Sequence, residues 1–228
     1  MKIPVLGARL ASAAGLVRQG AYLADIGTDH AFLPLFLLSS GKIGRAVCSD
    51  INEGPLASAR ENISEAGFSH LVDFRLTDGA GELAGLGITD YAICGMGGEL
   101  IADIIAAAPQ LFSVDVRLIL QPMTRQGHLR RYLSENGFDI LREEYSTEGE
   151  RAYVAMLCEY SGTARKISDF EAEFGRLDSC DTLSPARRKY IEIKKRALTK
   201  AAKGKIAGGE EYPPELSLLM ELEKLNLV

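Results

Sequence analysis

Apolar residues in the first 160 positions follow two alternating patterns. Short, uninterrupted apolar runs that stop at an acidic residue or a glycine are typical of buried parallel strands. Longer stretches between them carry apolar residues at helical spacing and end near glycine. Residues 138–160 then predict two long strands joined by a Glu-Gly turn, a β-hairpin. The earlier strands are predicted at 21–27, 43–50, 71–79, 89–98 and 116–122, and the helices at 4–17, 31–41, 53–66, 99–108 and 127–137.

This alternation predicts an α/β fold. Strands that alternate with helices favour a parallel, doubly wound sheet. A closing hairpin is unusual for a dinucleotide-binding dehydrogenase. It fits the Rossmann-like, seven-stranded sheet of class I methyltransferases, whose last strand is antiparallel.

The pattern changes after Gly162. A helical stripe is followed by a second helix that starts at Ser184-Pro185, and a leucine-rich helix over 215–227 closes the chain. We predict one domain over 1–162 and a small helical, coiled-coil-like domain over 163–228, arranged as an antiparallel helical hairpin. The stripe consists of Ile167, Phe170, Phe174 and Leu177.

Composition narrows the class of protein. The chain has 228 residues, of which 46% are hydrophobic and 25% charged, as in ordinary globular proteins. No run reaches the roughly 18 apolar residues that a membrane span needs, and the start lacks the apolar core of a signal peptide. The cysteines lie far apart in sequence, so we expect reduced thiols in a cytoplasmic protein, with neither disulfides nor a metal site. They are Cys48, Cys94, Cys158 and Cys180.

Charge is distributed unevenly. The net charge of −5 argues against a nucleic-acid partner. However, residues 187–205 contain nine Lys/Arg and one acid, a net +8 that leaves −13 for the rest. Such asymmetry suggests a basic surface that binds a polyanion, although a solvated helix face is the alternative. The predicted RNA contacts are Arg9, Arg187, Arg188, Lys189, Lys194 and Lys195.

The end of the first strand carries Asp25, Gly27 and Asp29. Ligands of doubly wound sheets bind outside the carboxyl ends of the strands, and a glycine there lets a ligand approach the backbone. The dinucleotide fingerprint needs three glycines, but only Gly27 is present. Asp29 would also repel a pyrophosphate. S-adenosylmethionine, with its ammonium and sulfonium groups, is therefore favoured.

The other strand ends add further candidates. Asp50, 23 residues after Gly27, would accept hydrogen bonds from a ribose, in either S-adenosylmethionine or a nicotinamide cofactor. The glycines around Met96 leave room for a flat base or a sulfonium, and the Gln121 amide could read a base edge. Acids that only cap helices, a core methionine and turn-forming glycines are the alternatives. The predicted cofactor-binding residues are Asp25, Gly27, Asp29, Asp50, Ile51, Asp78, Gly79, Gly95, Met96 and Gly97.

Four blocks, DIGTDHAFLP, SDINEGPL, CGMGGELI and LILQP, closely resemble bacterial tRNA adenine-N1 methyltransferases that modify adenine 22. The resemblance implies a class I methyltransferase domain with a C-terminal helical domain, S-adenosylmethionine as methyl donor and tRNA as partner. It also implies that Asp29, His30 and Gln121-Pro122 lie near the target base and serve catalysis. The family commonly has Gln-Pro-Asn where this chain has Met123 in third place.

Three other functions stay open at this point: a nicotinamide-dependent oxidoreductase, a methyltransferase of a protein or small molecule, and a non-catalytic module. The oligomeric state is open too, with a monomer among the options.

Overall fold

The computed structural model describes residues 4–177 and 183–225. Seven strands form its single sheet. They are β1 (Ala21–Ile26), β2 (Ile43–Asp50), β3 (Val72–Leu76), β4 (Asp90–Gly97), β5 (Arg117–Thr124), β6 (Phe138–Glu148) and β7 (Arg151–Tyr160). The helices are α1 (Ala8–Leu16), α2 (Phe32–Ser39), α3 (Glu53–Glu65), α4 (Gly98–Ala106), α5 (Gln126–Glu135), α6 (Asp169–Phe174), α7 (Pro185–Ala207) and α8 (Pro214–Lys224).

The strand order is β3-β2-β1-β4-β5-β7-β6. Strands β1 to β5 pair in parallel, whereas β7 runs antiparallel to both β5 and β6. The predicted α/β fold with a seven-stranded sheet is confirmed. Because the chain moves outward from β1 through β2 to β3 and then returns to β4, the order reverses between β1 and β4. This reversal is where doubly wound sheets place their ligands.

The sheet separates two apolar cores. Ala24 and Ile26 of β1 face a core under α4 and α5, while Leu23 faces the core under α1, α2 and α3. Neighbouring residues of a strand point to opposite faces, so both must be apolar when both faces are covered. This explains why the central strands read as continuous apolar runs.

Several predicted boundaries were too wide. The third strand begins at Val72 because residues 69–71 form a 3₁₀ turn, and it ends at Leu76. The stripe after 163 predicted a longer helix than α6. Ser168 caps its start by accepting a hydrogen bond from the Glu171 amide, and Gly175 ends it with φ of 75°. The end of the predicted helix at 215–227 lies outside the described residues.

The C-terminal helices share the core of the sheet. Phe174, Tyr190 and Leu222 belong to the same apolar cluster as Leu120 and Met156. Hence no break in the core marks the predicted boundary between 162 and 163, and the two-domain division stays a prediction.

Helix α8 returns along α7, as predicted for a helical hairpin. Lys205 and Glu215 pair at 2.8 Å beside the turn between the two helices. At the other end of α8, Glu221 lies beside Phe170 of α6 and Leu177.

Two further sequence predictions concern the cysteines and the membrane. Cys48, Cys94 and Cys158 are free thiols, and Cys180 lies outside the described residues. Over 4–177 and 183–225, no helix is long and apolar enough to cross a membrane.

Candidate functional site

The turn after β1 holds a buried carboxylate. Asp25 is 7% exposed, and its Oδ2 accepts a hydrogen bond from the Thr28 hydroxyl at 2.6 Å. Burial raises the pKa of Asp25 to about 6, although the Thr28 bond works in the opposite direction. Gly27 follows with φ of 69°, a conformation that glycine adopts without strain. The turn thus combines a buried carboxylate of raised pKa with a glycine in the left-handed region.

Two residues just before α2 have a strained backbone. His30 and Ala31 have φ of 60° and 52°, and non-glycine residues in this region cost about 1–2 kcal/mol each. The Asn62 amide holds the turn by donating to the His30 carbonyl at 2.9 Å. Such strain is found where a turn must present particular groups.

Those groups form an exposed rim. The Asp29 side chain is 81% exposed, and its Oδ1 lies 3.3 Å from His30 Nε2. The His30 ring stacks on Phe32 with centroids 5.3 Å apart. Phe32 is 40% exposed at the start of α2. The sequence predicted Asp29 and His30 at the site but gave no signal for Phe32, because this residue lies in an apolar run that is typical of core.

Met96 joins β4 to the β1 turn. A methyl group on Gly27 would come 2.0 Å from Met96 Cε, so the methionine packs directly on this glycine. Gly95 has φ of 81°, whereas Gly97 caps α4 with φ of −68°. Gly98 is structural, since a methyl group there would lie 2.4 Å from the Arg125 carbonyl oxygen. The tight-turn alternative thus holds for Gly98, whereas the site role of Gly95 and Gly97 stays a prediction.

Gln121 is fully buried at the end of β5. Its Oε1 accepts hydrogen bonds from Arg9 Nη1 at 2.6 Å and from the Gly95 amide at 3.1 Å. The side-chain oxygen of Gln121 therefore connects β5 to Gly95 of β4 and to Arg9. Pro122, also buried, pairs with Met96 across the two strands, and Met123 Sδ lies 3.7 Å from Gln121 Nε2.

Arg9 was predicted to contact RNA. In the structure its guanidinium reaches Gln121, and its backbone amide donates to Glu148 Oε1 at 2.9 Å. Arg9 is half-buried and fastens α1 to the end of β6 and to the floor of the site. The sequence held no signal for this contact, because 112 residues separate the two partners.

The remaining candidates lie at the ends of β2 and β3. Asp50 Oδ1 accepts a hydrogen bond from the backbone N–H of Asn52 at 2.7 Å, so one oxygen of this carboxylate stabilises the turn into α3. Ile51 is 63% exposed and Leu76, which pairs with Asp50, is 57% exposed. Asp78 is exposed as well, beside Gly79 with φ of 71°. Exposed apolar side chains next to a carboxylate suit a ring with an attached ribose.

The structure gathers the predicted cofactor residues at one edge. Asp25, Asp50 and Gly95 end or follow strands that lie side by side in the sheet, and Asp78 follows β3. Among the described residues, no group of His, Cys, Asp or Glu has the arrangement of a metal site.

The basic residues of α7 fall into two groups. Lys189 donates to the Gly149 carbonyl at 2.9 Å, Lys194 donates to Glu173 at 2.9 Å, and Arg187 lies over the Tyr145 ring. Of these predicted RNA residues, Lys189 and Arg187 contact the β6–β7 hairpin and Lys194 contacts α6. A shallow groove farther along has four basic side chains, of which the sequence prediction chose only the first. They are Lys195, Arg196, Lys200 and Lys203.

The part of the chain that forms the sheet has counterparts in a known family. The family model described as Methyltransferase domain matches residues 6–156, more than half of the chain. The chain belongs to this methyltransferase family.

Individual relatives agree. The tRNA (adenine(22)-N(1))-methyltransferase of Bacillus subtilis is 34% identical over 155 residues, which cover 68% of this chain and 65% of that protein. The alignment thus spans a little under two thirds of this curated methyltransferase. The resemblance drawn from the four sequence blocks is confirmed.

Two solved structures are similar over nearly the whole chain. One is a Streptococcus agalactiae protein of the NADB-Rossmann superfamily, with a TM-score of 0.85, 30% identity and coverage of 99% of this chain and 98% of that one. The other is a proposed tRNA (m1A22) methyltransferase of Streptococcus pneumoniae in complex with S-adenosyl-L-methionine. It has a TM-score of 0.83, 29% identity and coverage of 98% and 100%. The similarity includes the C-terminal helices that the family model leaves out.

Proposed function

We propose that this methyltransferase transfers a methyl group from S-adenosylmethionine to N1 of adenine 22 in tRNA. The observation that carries the proposal is the β1 turn, where Gly27 adopts a left-handed conformation beside Met96 and where Asp25 and Asp29 supply carboxylates. The Bacillus subtilis relative, named for this reaction, supports it.

The cofactor residues fit S-adenosylmethionine better than a dinucleotide. Carboxylates at the β1 turn attract an ammonium and a sulfonium and repel a pyrophosphate. Asp50 would accept hydrogen bonds from the ribose hydroxyls, with Ile51 and Leu76 against the adenine ring. Gly95 and Met96 would border the sulfonium. S-adenosylmethionine supplies the methyl group when bound there.

The reaction asks little proton chemistry of the protein. Adenine N1 has a free lone pair, so no base has to remove a proton before attack. The protein must hold N1 in line with the methyl–sulfur bond, and the base must first be unpaired because N1 lies on its Watson–Crick edge. The methylated ring is cationic, and the exposed carboxylate of Asp29 would stabilise the growing charge. His30 and Phe32 offer flat faces on which an extruded base can stack.

Gln121 and Arg9 act one step away from the base in this proposal. Since Gln121 Oε1 already binds Arg9 and Gly95, the Gln121 side chain positions Gly95 at the end of β4. Pro122 would form a wall of the base pocket.

The helical part, 163–228, would hold the tRNA backbone. The groove of Lys195, Arg196, Lys200 and Lys203 is better placed for this than Lys189 and Lys194, which bind protein carbonyls and carboxylates. A cytoplasmic location follows from the tRNA substrate and from the free thiols.

Mass-spectrometric nucleoside analysis of tRNA incubated with the protein and isotope-labelled S-adenosylmethionine tests the proposal. We expect labelled 1-methyladenosine at position 22, and none when adenine 22 is replaced by guanine. Label in another nucleoside, or in protein only, would refute the substrate. Thermal shifts with S-adenosylhomocysteine and with NAD separate the methyltransferase from an oxidoreductase, since only the former ligand should raise the Tm.

A further inference from the structure

A cavity of about 200 Å³ lies between α5, β6, α6 and the start of α7. A water molecule occupies about 30 Å³, so the cavity has room for a phosphate group and several waters. It is separate from the site at the strand ends. Glu143, which lines it, is five residues before Glu148 at the carboxyl end of β6, or roughly 16 Å along a strand. Five of its lining side chains are arginines: Arg130, Arg142, Arg165, Arg176 and Arg187.

The carboxylates of the cavity do not neutralise all of its guanidinium groups. Glu171 binds Arg165 at 2.7 Å and Arg176 at 3.3 Å, and the Arg165 hydrogen bond lowers the pKa of Glu171. Glu143 binds Arg130 at 2.8 Å and accepts from the Tyr145 hydroxyl at 2.8 Å. Arg142 pairs with Glu144, which lies outside the lining, and Arg187 has contacts of its own. The other three guanidinium groups meet two carboxylates among the described lining residues, which leaves one positive charge for a ligand.

Arg130 forms the buried side of this cluster. Its side chain is 1% exposed, and its Nη1 donates to the Ala172 carbonyl at 2.7 Å. Its Nη2 is buried without a hydrogen-bond partner among the described residues. A buried donor without an acceptor costs about 1–3 kcal/mol. An acceptor entering the adjacent cavity can remove that cost.

We propose that this arginine-lined cavity binds a phosphate-type oxyanion. Guanidinium groups match the oxygens of phosphate through paired, charge-assisted hydrogen bonds. The phosphate can be free in solution or a phosphodiester of an RNA strand. The second source is consistent with α7, which starts at the cavity with Arg187 and carries the basic groove farther along. The anion site itself does not depend on the proposed methyl transfer.

The test compares the wild type with Arg176→Gln and with Arg142→Gln/Arg176→Gln. These two arginines are 68% and 65% exposed, so the variants should keep their fold, which circular dichroism checks. Arg45→Gln is the matched control, since Arg45 is 58% exposed, has an acidic partner as they do and lies outside the cavity. Titration with inorganic phosphate at constant ionic strength, followed by calorimetry and by the Tm, measures the site without any methylation step.

The wild type and Arg45→Gln should bind phosphate saturably, and the double variant should bind it about 10-fold more weakly. A parallel titration with tRNA distinguishes the sources. If RNA supplies the phosphate, the double variant loses tRNA affinity and its salt dependence flattens, whereas Arg45→Gln retains both. If only the phosphate titration changes, the ligand is a free anion. Equal phosphate binding in all variants, or no saturable binding to the wild type, would overturn the proposal.

Discussion

Replacing Gly27 by alanine tests the contact between the β1 turn and Met96. The new methyl group would lie 2.0 Å from Met96 Cε, far inside van der Waals contact. The substituted residue would also have to adopt φ of 69°. The left-handed conformation costs about 1–2 kcal/mol for a residue other than glycine. Met96 Cε is the end of a flexible side chain that can move aside, so the overpacking cost should lie at the low end, about 1 kcal/mol. We therefore expect Gly27→Ala to lower the free energy of unfolding by about 2–3 kcal/mol.

The two contributions can be separated with Met96→Ala. Because Met96 is half-buried, its truncation alone should cost less than the about 2–5 kcal/mol of a fully buried methionine. In the double variant Gly27→Ala/Met96→Ala, the new methyl group has room, so the backbone cost and the cost of truncating Met96 remain but the overpacking cost does not. The double variant should be about 1 kcal/mol more stable than the two single effects predict by addition.

Urea unfolding of the wild type, the two single variants and the double variant gives the coupling energy between Gly27 and Met96. Calorimetry with S-adenosylhomocysteine gives the effect on ligand affinity. We expect the double variant to be more stable than additivity predicts. It should still bind the ligand weakly, because Gly27 and Met96 both border the proposed cofactor site. Additivity within about 0.5 kcal/mol would refute the steric reasoning.

Four further predictions follow from the site, the helices and the buried arginine. Asp29→Ala should lose about 100-fold or more in turnover, since a preorganised charge is lost, while S-adenosylmethionine affinity should fall less than turnover, because the Asp25 carboxylate still attracts the cofactor. Because the pKa of Asp25 is raised to about 6, the folded state holds its proton more tightly than the unfolded state. Stability of the ligand-free protein should therefore fall as pH rises from about 4 to about 6, by on the order of 2 kcal/mol, and Asp25→Asn should remove this slope. Lys200→Glu/Lys203→Glu should weaken tRNA binding and reduce the slope of log K against log salt by about 1–2. Arg130→Met should lower the free energy of unfolding by about 3–5 kcal/mol, because it leaves the Glu143 carboxylate buried and unpaired.

Each of these predictions has a matched control. Asp29→Asn keeps the size of the side chain and removes its charge, so full turnover in that variant would exclude a charge effect. A pH slope unchanged by Asp25→Asn would exclude Asp25 as its source. Arg45→Glu reverses a charge outside the groove, and an equal change in its salt slope would mean that the effect is not local. Arg45→Met removes an exposed ion pair and should leave the urea midpoint unchanged.

The fold was predictable because periodicity records burial. Each central strand is covered on both faces, which makes its sequence continuously apolar, and the ends of β1, β2 and β4 carry a glycine or an acid. Boundaries were less predictable where a local hydrogen bond decided them. Ser168, for example, starts α6 only after the beginning of a helical stripe that Ile167 belongs to.

The site was predictable only as far as it is local in sequence. Asp25, Gly27 and Asp29 lie within five positions, and the geometry of parallel strands brings Asp50 and Gly95 to the same edge. The contact of Arg9 with Gln121 bridges 112 positions, and no pattern in a single sequence records it. Nor could charge counting separate the lysines of α7 that bind the protein from those that line the groove.

The continuous core between the sheet and the C-terminal helices limits how this protein can be divided. Phe174, Tyr190 and Leu222 are side chains that the sheet face needs as cover. A chain cut at 162 would leave that face open to water and prone to self-association. Length variation in the helical hairpin is instead tolerable at its far end, beyond Ala202, where residues 203–212 are exposed. Recombination that lengthens or shortens the helical hairpin there would change how far it extends without disturbing the sheet and the candidate site.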